Sequence, residues 1–214
     1  MIKLEKLNRK EAVRYLGGAK VEMNDWMESL LDECEELVIQ NAQPRVIYKE
    51  HDLPWPEIMQ GKDIEKHLEG CRKAILVGAT LGGEIDRLLR VCQVEDMKKA
   101  VVIDVLASTA IEQVCSQLDD ELAKKYPDSY LTFRFSPGYG DFPIEMQRTL
   151  LHMLDAPRKI GLTLNDSLLM VPTKSETAVL GISDGQLKRG RRGCATCNMN
   201  GQCQFRKNGE HCGF

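Results

Sequence analysis

The sequence predicts an α+β fold: a twisted antiparallel sheet packed with long helices, followed by a short cysteine-rich C-terminal tail. Three observations predict it. Residues 96–125 hold the longest helical periodicity in the chain. Strand-like runs stand on both sides of that segment without repeating as strand–helix–strand units, which argues against a doubly wound parallel sheet. Four of the eight cysteines crowd the last 21 residues. The expected division is a body over residues 1–187 and a basic, cysteine-rich tail over 188–214.

The bulk properties fit a globular body. With 214 residues, 43% hydrophobic and 29% charged, the chain can bury a sizeable core without disulfides. A net charge of −3 argues against a body built for phosphate backbones. No run approaches the roughly 20 apolar residues of a membrane span. The opening MIKLEKLNRKEAVRYLGG lacks the apolar centre of a signal peptide, so the expected location is cytoplasmic, with no membrane partner.

Asn8 and Glu11 form a capping pair for a short helix ending at Gly17-Gly18. Asn24 or Asp25 caps a second helix, with Trp26, Leu30, Leu37 and Val38 as its apolar positions. RVIYKEHDL (45–53) is a candidate strand. LPWPEIMQGKDIEKHLEGC gives a proline-marked loop and a short helix. KAILVGATLGGEIDRLL (73–89) reads as a buried strand, Ala74–Ala79, a turn at Gly82-Gly83, and a helix. Strand–glycine–helix passages can hold phosphates. Here the dinucleotide pattern and the Walker lysine are absent, and a tight turn is expected.

In the long helix, Val101, Val105, Ile111, Cys115, Leu118 and Leu122 recur at three- and four-residue steps. Ala107, Ser108, Thr109 and Ala110 leave room for close packing, and Pro127 closes the element. YLTFRFS (130–136) alternates, which puts Leu131, Phe133 and Phe135 on a core face and points Arg134 away from it. PIEMQRTLLHMLDA is an amphipathic helix through Met146, Leu150, Leu151 and Leu154. The segment after it offers two or three short strands, with turns at Asn165-Asp166 and Pro172. His51, His67, His152 and His211 have unrelated contexts and read as surface residues. Cys34, Cys71, Cys92 and Cys115 read as small core residues. No Ser–His–Asp or Cys–His set is present, so no catalytic residue is assigned.

The stretch RFSPGYGDFP (134–143) cannot be a helix or a central strand. Gly138 and Gly140 allow a ligand to approach the backbone closely, and Pro137 fixes the entry to the bend. Arg134 can clamp a carboxylate through two parallel hydrogen bonds, worth on the order of 1.5–3 kcal/mol when desolvated. Tyr139 adds a flat face and a hydroxyl. A plain proline turn with a surface arginine is the alternative.

Arg-x-x-x-Gly-Tyr after a strand resembles the S-adenosylmethionine-binding motif of the activation domain of cobalamin-dependent methionine synthase. RYLGG, GATLGGEIDRLL with the long helix, RFSPGYGDFP and IGLTLNDSLLMVPTKSETAVLGIS resemble stand-alone members of that family. The resemblance covers roughly residues 8–185. It implies an S-adenosylmethionine site made by Arg134, Pro137, Gly138 and Tyr139, with Glu112 on the long helix as a further contact. The fused enzymes usually carry proline after the tyrosine, where this chain has Gly140.

The resemblance also implies a chemistry. Inactive cob(II)alamin on a partner is rescued by one electron and a methyl group from S-adenosylmethionine, so the protein's task is positioning and solvent exclusion. This chain has no DxHxxG cobalamin motif. Its partner is therefore expected to be a corrinoid protein, or a methionine synthase lacking its own activation domain. An electron donor such as flavodoxin or ferredoxin completes the expected set.

The tail reads Cys-x2-Cys-x5-Cys-x8-Cys through Cys194, Cys197, Cys203 and Cys212. Four thiolates so close in sequence can close on one metal centre. One Cys-x2-Cys knuckle is fewer than zinc sites commonly use, and the spacing is not that of bacterial ferredoxins. Zinc and an iron–sulfur cluster both stay open, with His211 able to replace a thiolate; the electron that the reaction requires favours the cluster. The basic run KRGRRG (188–193) beside it supports an alternative function, a nucleic-acid- or protein-binding module using a metal-stabilised tail. The acidic body weighs against nucleic acid.

Overall fold

The computed structural model describes residues 2–18, 21–185 and 201–202. The basic run and Cys194, Cys197, Cys203, His211 and Cys212 lie outside the described residues. Four strands form one antiparallel sheet: β1 (Arg45–Asp52), β2 (Lys73–Thr80), β6 (Ser175–Ser183) and β3 (Tyr130–Leu131), in that spatial order. A small hairpin pairs β4 (Thr163–Leu164) with β5 (Met170–Val171).

The central strands β2 and β6 are buried along nearly their whole length. Both faces of the sheet are covered, so KAILVGAT and TAVLGIS read as continuous apolar runs and do not alternate. Ile75, Val77, Ala178, Leu180 and Ile182 face α5 (Met97–Lys125) through Leu118 and Leu122. Ala74, Leu76 and Val179 face the other way. They meet α3 (Lys62–Leu68), α6 (Met146–Leu154) and α7 (Ala156–Ile160) through Ile64, Leu68, Leu150, Leu154 and Ile160.

The outer side of α5 carries a third apolar cluster, shared with α1 (Arg9–Leu16), α2 (Asp25–Asn41) and α4 (Gly83–Glu95). The start and stop signals sit where the sequence placed them. Asn8 accepts from the Glu11 amide, and Asn24 from the Met27 amide. Gly17 caps α1 at φ +134°, a conformation open to glycine. Gly82 turns from β2 into α4 at φ +84°, its amide donating to Thr80 Oγ1 at 3.1 Å. Glu84 and Asp86 fill the first turn of α4, and their charge would repel a phosphate.

Some packing expectations shift. By length and composition α5 could cross a membrane, contrary to the expectation that no run approaches this, but its apolar surface is taken up by two clusters. Because α5 packs on two sides, its buried face is wide. Val102, Ile103, Leu106 and Val114 join it, while Val101 is half exposed. Trp26 also lies at the surface, under the ammonium of Lys98 at 5.1 Å. Cys34, Cys92 and Cys115 are buried and Cys71 half-buried, all four as free thiols.

Candidate functional site

A β-bulge builds the site. β3 pairs Tyr130 with Ser183 and Leu131 with Ile182, and the Thr132 amide continues to the Gly181 carbonyl at 2.9 Å. Phe135 and Val179 then exchange both backbone bonds, at 3.0 and 2.9 Å. Three residue steps on one strand face two on the other, which resets the side-chain alternation. Leu131 packs on the α5 side and Phe135 on the opposite side. The expected common face of Leu131, Phe133 and Phe135 is therefore wrong, and Phe133 is partly exposed.

The same bulge turns Arg134 inward, correcting the expectation that it points away from the core. It is 6% exposed and lies between α5 and β6. Its Nε donates to Asp119 Oδ2 at 3.0 Å, Nη1 to Glu176 Oε2 at 2.5 Å, and Nη2 to Glu112 Oε2 at 3.1 Å. Glu112 and Asp119 stand two turns apart on one face of α5. The fork expected to be open to a ligand is thus occupied by three internal carboxylates. One guanidinium among three carboxylates leaves an excess of negative charge.

Burial pushes the Glu176 carboxyl up from its ordinary value, although Arg134 opposes the shift. For Arg134, burial works against the charge, but the carboxylates led by Glu176 outweigh it and the pKa rises. The Cys115 thiol is pushed well up by burial and then by Glu176, so it is no nucleophile. Along the same seam, Lys174 Nζ meets Asp104 at 2.7 Å and Ser108 Oγ at 2.9 Å.

The motif turn follows directly. The Tyr139 amide donates to the Ser136 carbonyl at 3.2 Å and the Gly138 amide to the Phe142 carbonyl at 2.8 Å. Gly138 has φ +91° and Gly140 φ +56°. Pro137 is buried. Tyr139 is exposed, its ring centroid 6.4 Å from that of Phe135. Arg134 faces α5 and Tyr139 keeps to the Phe135 side, so the motif straddles the edge of the sheet.

Of the residues expected at the site, Glu112 and Arg134 touch, and Pro137, Gly138 and Tyr139 form the adjoining turn. The sequence reading missed Asp119 and Glu176. The seven-residue spacing from Glu112 to Asp119 was a usable signal, as was an acid opening an otherwise apolar strand. It also placed His67 at the surface. His67 is buried beneath the bulge, its Nε2 2.9 Å from Thr132 Oγ1 and its ring against Phe133 and Phe135 at 4.7 and 5.0 Å.

No family model matches the sequence, and no curated protein matches it. Among solved structures, the chain is similar to the crystal structure of the MetH reactivation domain bound to AdoHcy. The TM-score is 0.60 at 14% identity, covering 77% of this chain and 68% of that one. The two chains share a fold.

Proposed function

We propose that this chain binds S-adenosylmethionine at the edge of its sheet, between the Glu112–Arg134–Glu176 set and the Pro137–Tyr139 turn. In this reading it serves as an activation subunit for a corrinoid methyltransferase carried on another chain. The observation that carries the proposal is the contact between Glu112 and Arg134 beside that turn, on a fold shared with a domain solved with AdoHcy.

The charge pattern supports this ligand. S-adenosylmethionine carries a cationic sulfonium and an ammonium group, and the seam offers three carboxylates to one guanidinium. The exposed Tyr139 ring offers a face for a flat heterocycle. When bound, the partner's corrinoid supplies the nucleophile for the methyl group, and an electron donor of the flavodoxin or ferredoxin kind supplies the electron. This chain's own residues bind and orient the sulfonium and exclude water. The tail cysteines, Cys194, Cys197, Cys203 and Cys212, are proposed as ligands of zinc or an iron–sulfur cluster on the strength of their spacing.

Titration calorimetry tests the site. Wild-type protein should bind both S-adenosylmethionine and adenosylhomocysteine, with affinity lost in Arg134→Lys. No heat from wild type with either ligand overturns the proposal.

A further inference from the structure

α3 meets the motif turn in a reciprocal clasp. The Asp141 carboxylate accepts from the backbone amides of Lys62 and Asp63, both at 2.9 Å. In return, Asp63 Oδ2 accepts from the Asp141 amide at 3.1 Å. Each carboxylate reaches across where its opposite strand of chain carries a glycine. A Cβ on Gly140 would stand 2.1 Å from Asp63 Oδ2, and one on Gly61 2.7 Å from Asp141 Oδ1. Both glycines have positive φ, +56° and +131°, so any side chain there is strained as well as blocked. The two amides hold the Asp141 carboxyl below its ordinary value, as hydrogen bonds to the charged form do.

The same short helix braces the bulge at its other end. His67 lies against Phe133, Phe135 and Thr132. The turn that carries Gly138 and Tyr139 is therefore tied at both ends to one element that touches neither Arg134 nor Glu112 through these contacts. Phe142 closes the turn from inside, 1% exposed, its amide donating to the Tyr139 carbonyl at 3.0 Å.

We propose that Asp63 and Asp141 are positioning residues. Their clasp fixes the Gly138–Tyr139 turn in the geometry that receives the adenosyl ligand, and so sets the affinity of the site. The inference rests on the proposed adenosyl-ligand function. Gly140 is then a requirement of the clasp, which accounts for its presence where the related motif carries proline.

A double-mutant cycle on the full chain tests this, with adenosylhomocysteine as the probe. Asp63→Ala and Asp141→Ala should each weaken binding about tenfold, as a displaced binding loop does. The double variant should be little worse than the weaker-binding single, because both changes open one clasp. Asp141→Asn, which keeps one acceptor oxygen, should recover part of the affinity. Amide hydrogen exchange at Lys62 and Asp63 should quicken in Asp141→Ala even without ligand. Affinities equal to wild type in folded single variants overturn the inference, as do fully additive losses. Wild type failing to bind the probe removes the proposed function and the affinity claim together. Unchanged exchange at Lys62 and Asp63 overturns the clasp itself, whatever the ligand result.

Discussion

Glu112 and Arg134 stand 22 positions apart in the chain and meet at 3.1 Å across the seam between α5 and the bulged edge strand. The contact is asymmetric in exposure. The Arg134 side chain is 5% exposed and that of Glu112 51%. Arg134 is therefore a buried hub that organises three carboxylates, and Glu112 is the most exposed of them, ahead of Asp119 at 37% and Glu176 at 16%. A bound cation would approach from the Glu112 side, and the guanidinium would hold the acids in place as it arrives.

Arg134→Lys should weaken binding of S-adenosylmethionine by at least about tenfold, because one ammonium cannot serve three carboxylates lying in different directions. Arg134→Ala should also destabilise the fold by on the order of 3 kcal/mol, since it leaves Glu176 buried without its counter-charge. Glu112→Gln should cost under about 1 kcal/mol of stability, its pair being half exposed, yet lower affinity clearly. Calorimetry and urea unfolding on the three variants separate the two effects.

Two carboxyls should bend the pH dependence of stability in opposite directions. The folded-state pKa of Glu176 is raised above 4.5, so its contribution is fully present below 4.5 and is lost as pH rises through the folded value. Glu50 is lowered to about 2, first of all by its bond from Lys125 Nζ at 2.7 Å. Its contribution is present above 4.5 and is lost as pH falls toward about 2; partial exposure of the pair keeps it below about 1 kcal/mol. Glu176→Gln should remove the loss of Tm on raising pH from 4.5, and Glu50→Gln should remove part of the loss below it. A cationic ligand favours ionised Glu176, so binding should release a proton, visible as a buffer-dependent heat.

Gly181 marks a close approach on the opposite face of β6. A Cβ there would meet Cys71 Sγ at 2.4 Å and Leu68 Cδ2 at 3.2 Å. Gly181→Ala should cost about 1–3 kcal/mol through overpacking. Cys71→Ala removes the nearest obstacle, so the double variant should regain most of that loss. Urea midpoints of the four proteins give the coupling; additive losses would show that the thiol is not what limits the space.

The elements were legible because their signals are local. Asn8, Asn24 and Gly17 end helices through bonds within one turn, and the runs in β2 and β6 are apolar because both faces are covered. The seam was half legible. Glu112 and Arg134 could be chosen from the motif, but the inward turn of Arg134 depends on one extra residue between Thr132 and Phe135. That residue is defined by pairing with Gly181 and Val179, some 45 positions away in sequence. A bulge leaves no periodicity to detect, and a strict alternation through it assigns every later side chain to the wrong face. The Asp63–Asp141 clasp was illegible for the same reason: its partners are 78 positions apart.

Among the described residues, the three apolar clusters draw on none beyond Ile182, and β6 ends at Ser183. Truncation after Gln186 should therefore leave a folded body that still binds adenosylhomocysteine. It should remove any metal held by Cys194, Cys197, Cys203 and Cys212. Anaerobically purified full-length protein should contain iron with sulfide and absorb in the visible, as thiolate-ligated clusters do; about one zinc per chain in colourless protein would instead assign zinc. Metal analysis that finds neither element would show the four thiols to be unligated. Retention of the metal by the truncated chain would move the site into the body, where no group of three or more His, Cys, Asp or Glu suited to a metal occurs among the described residues.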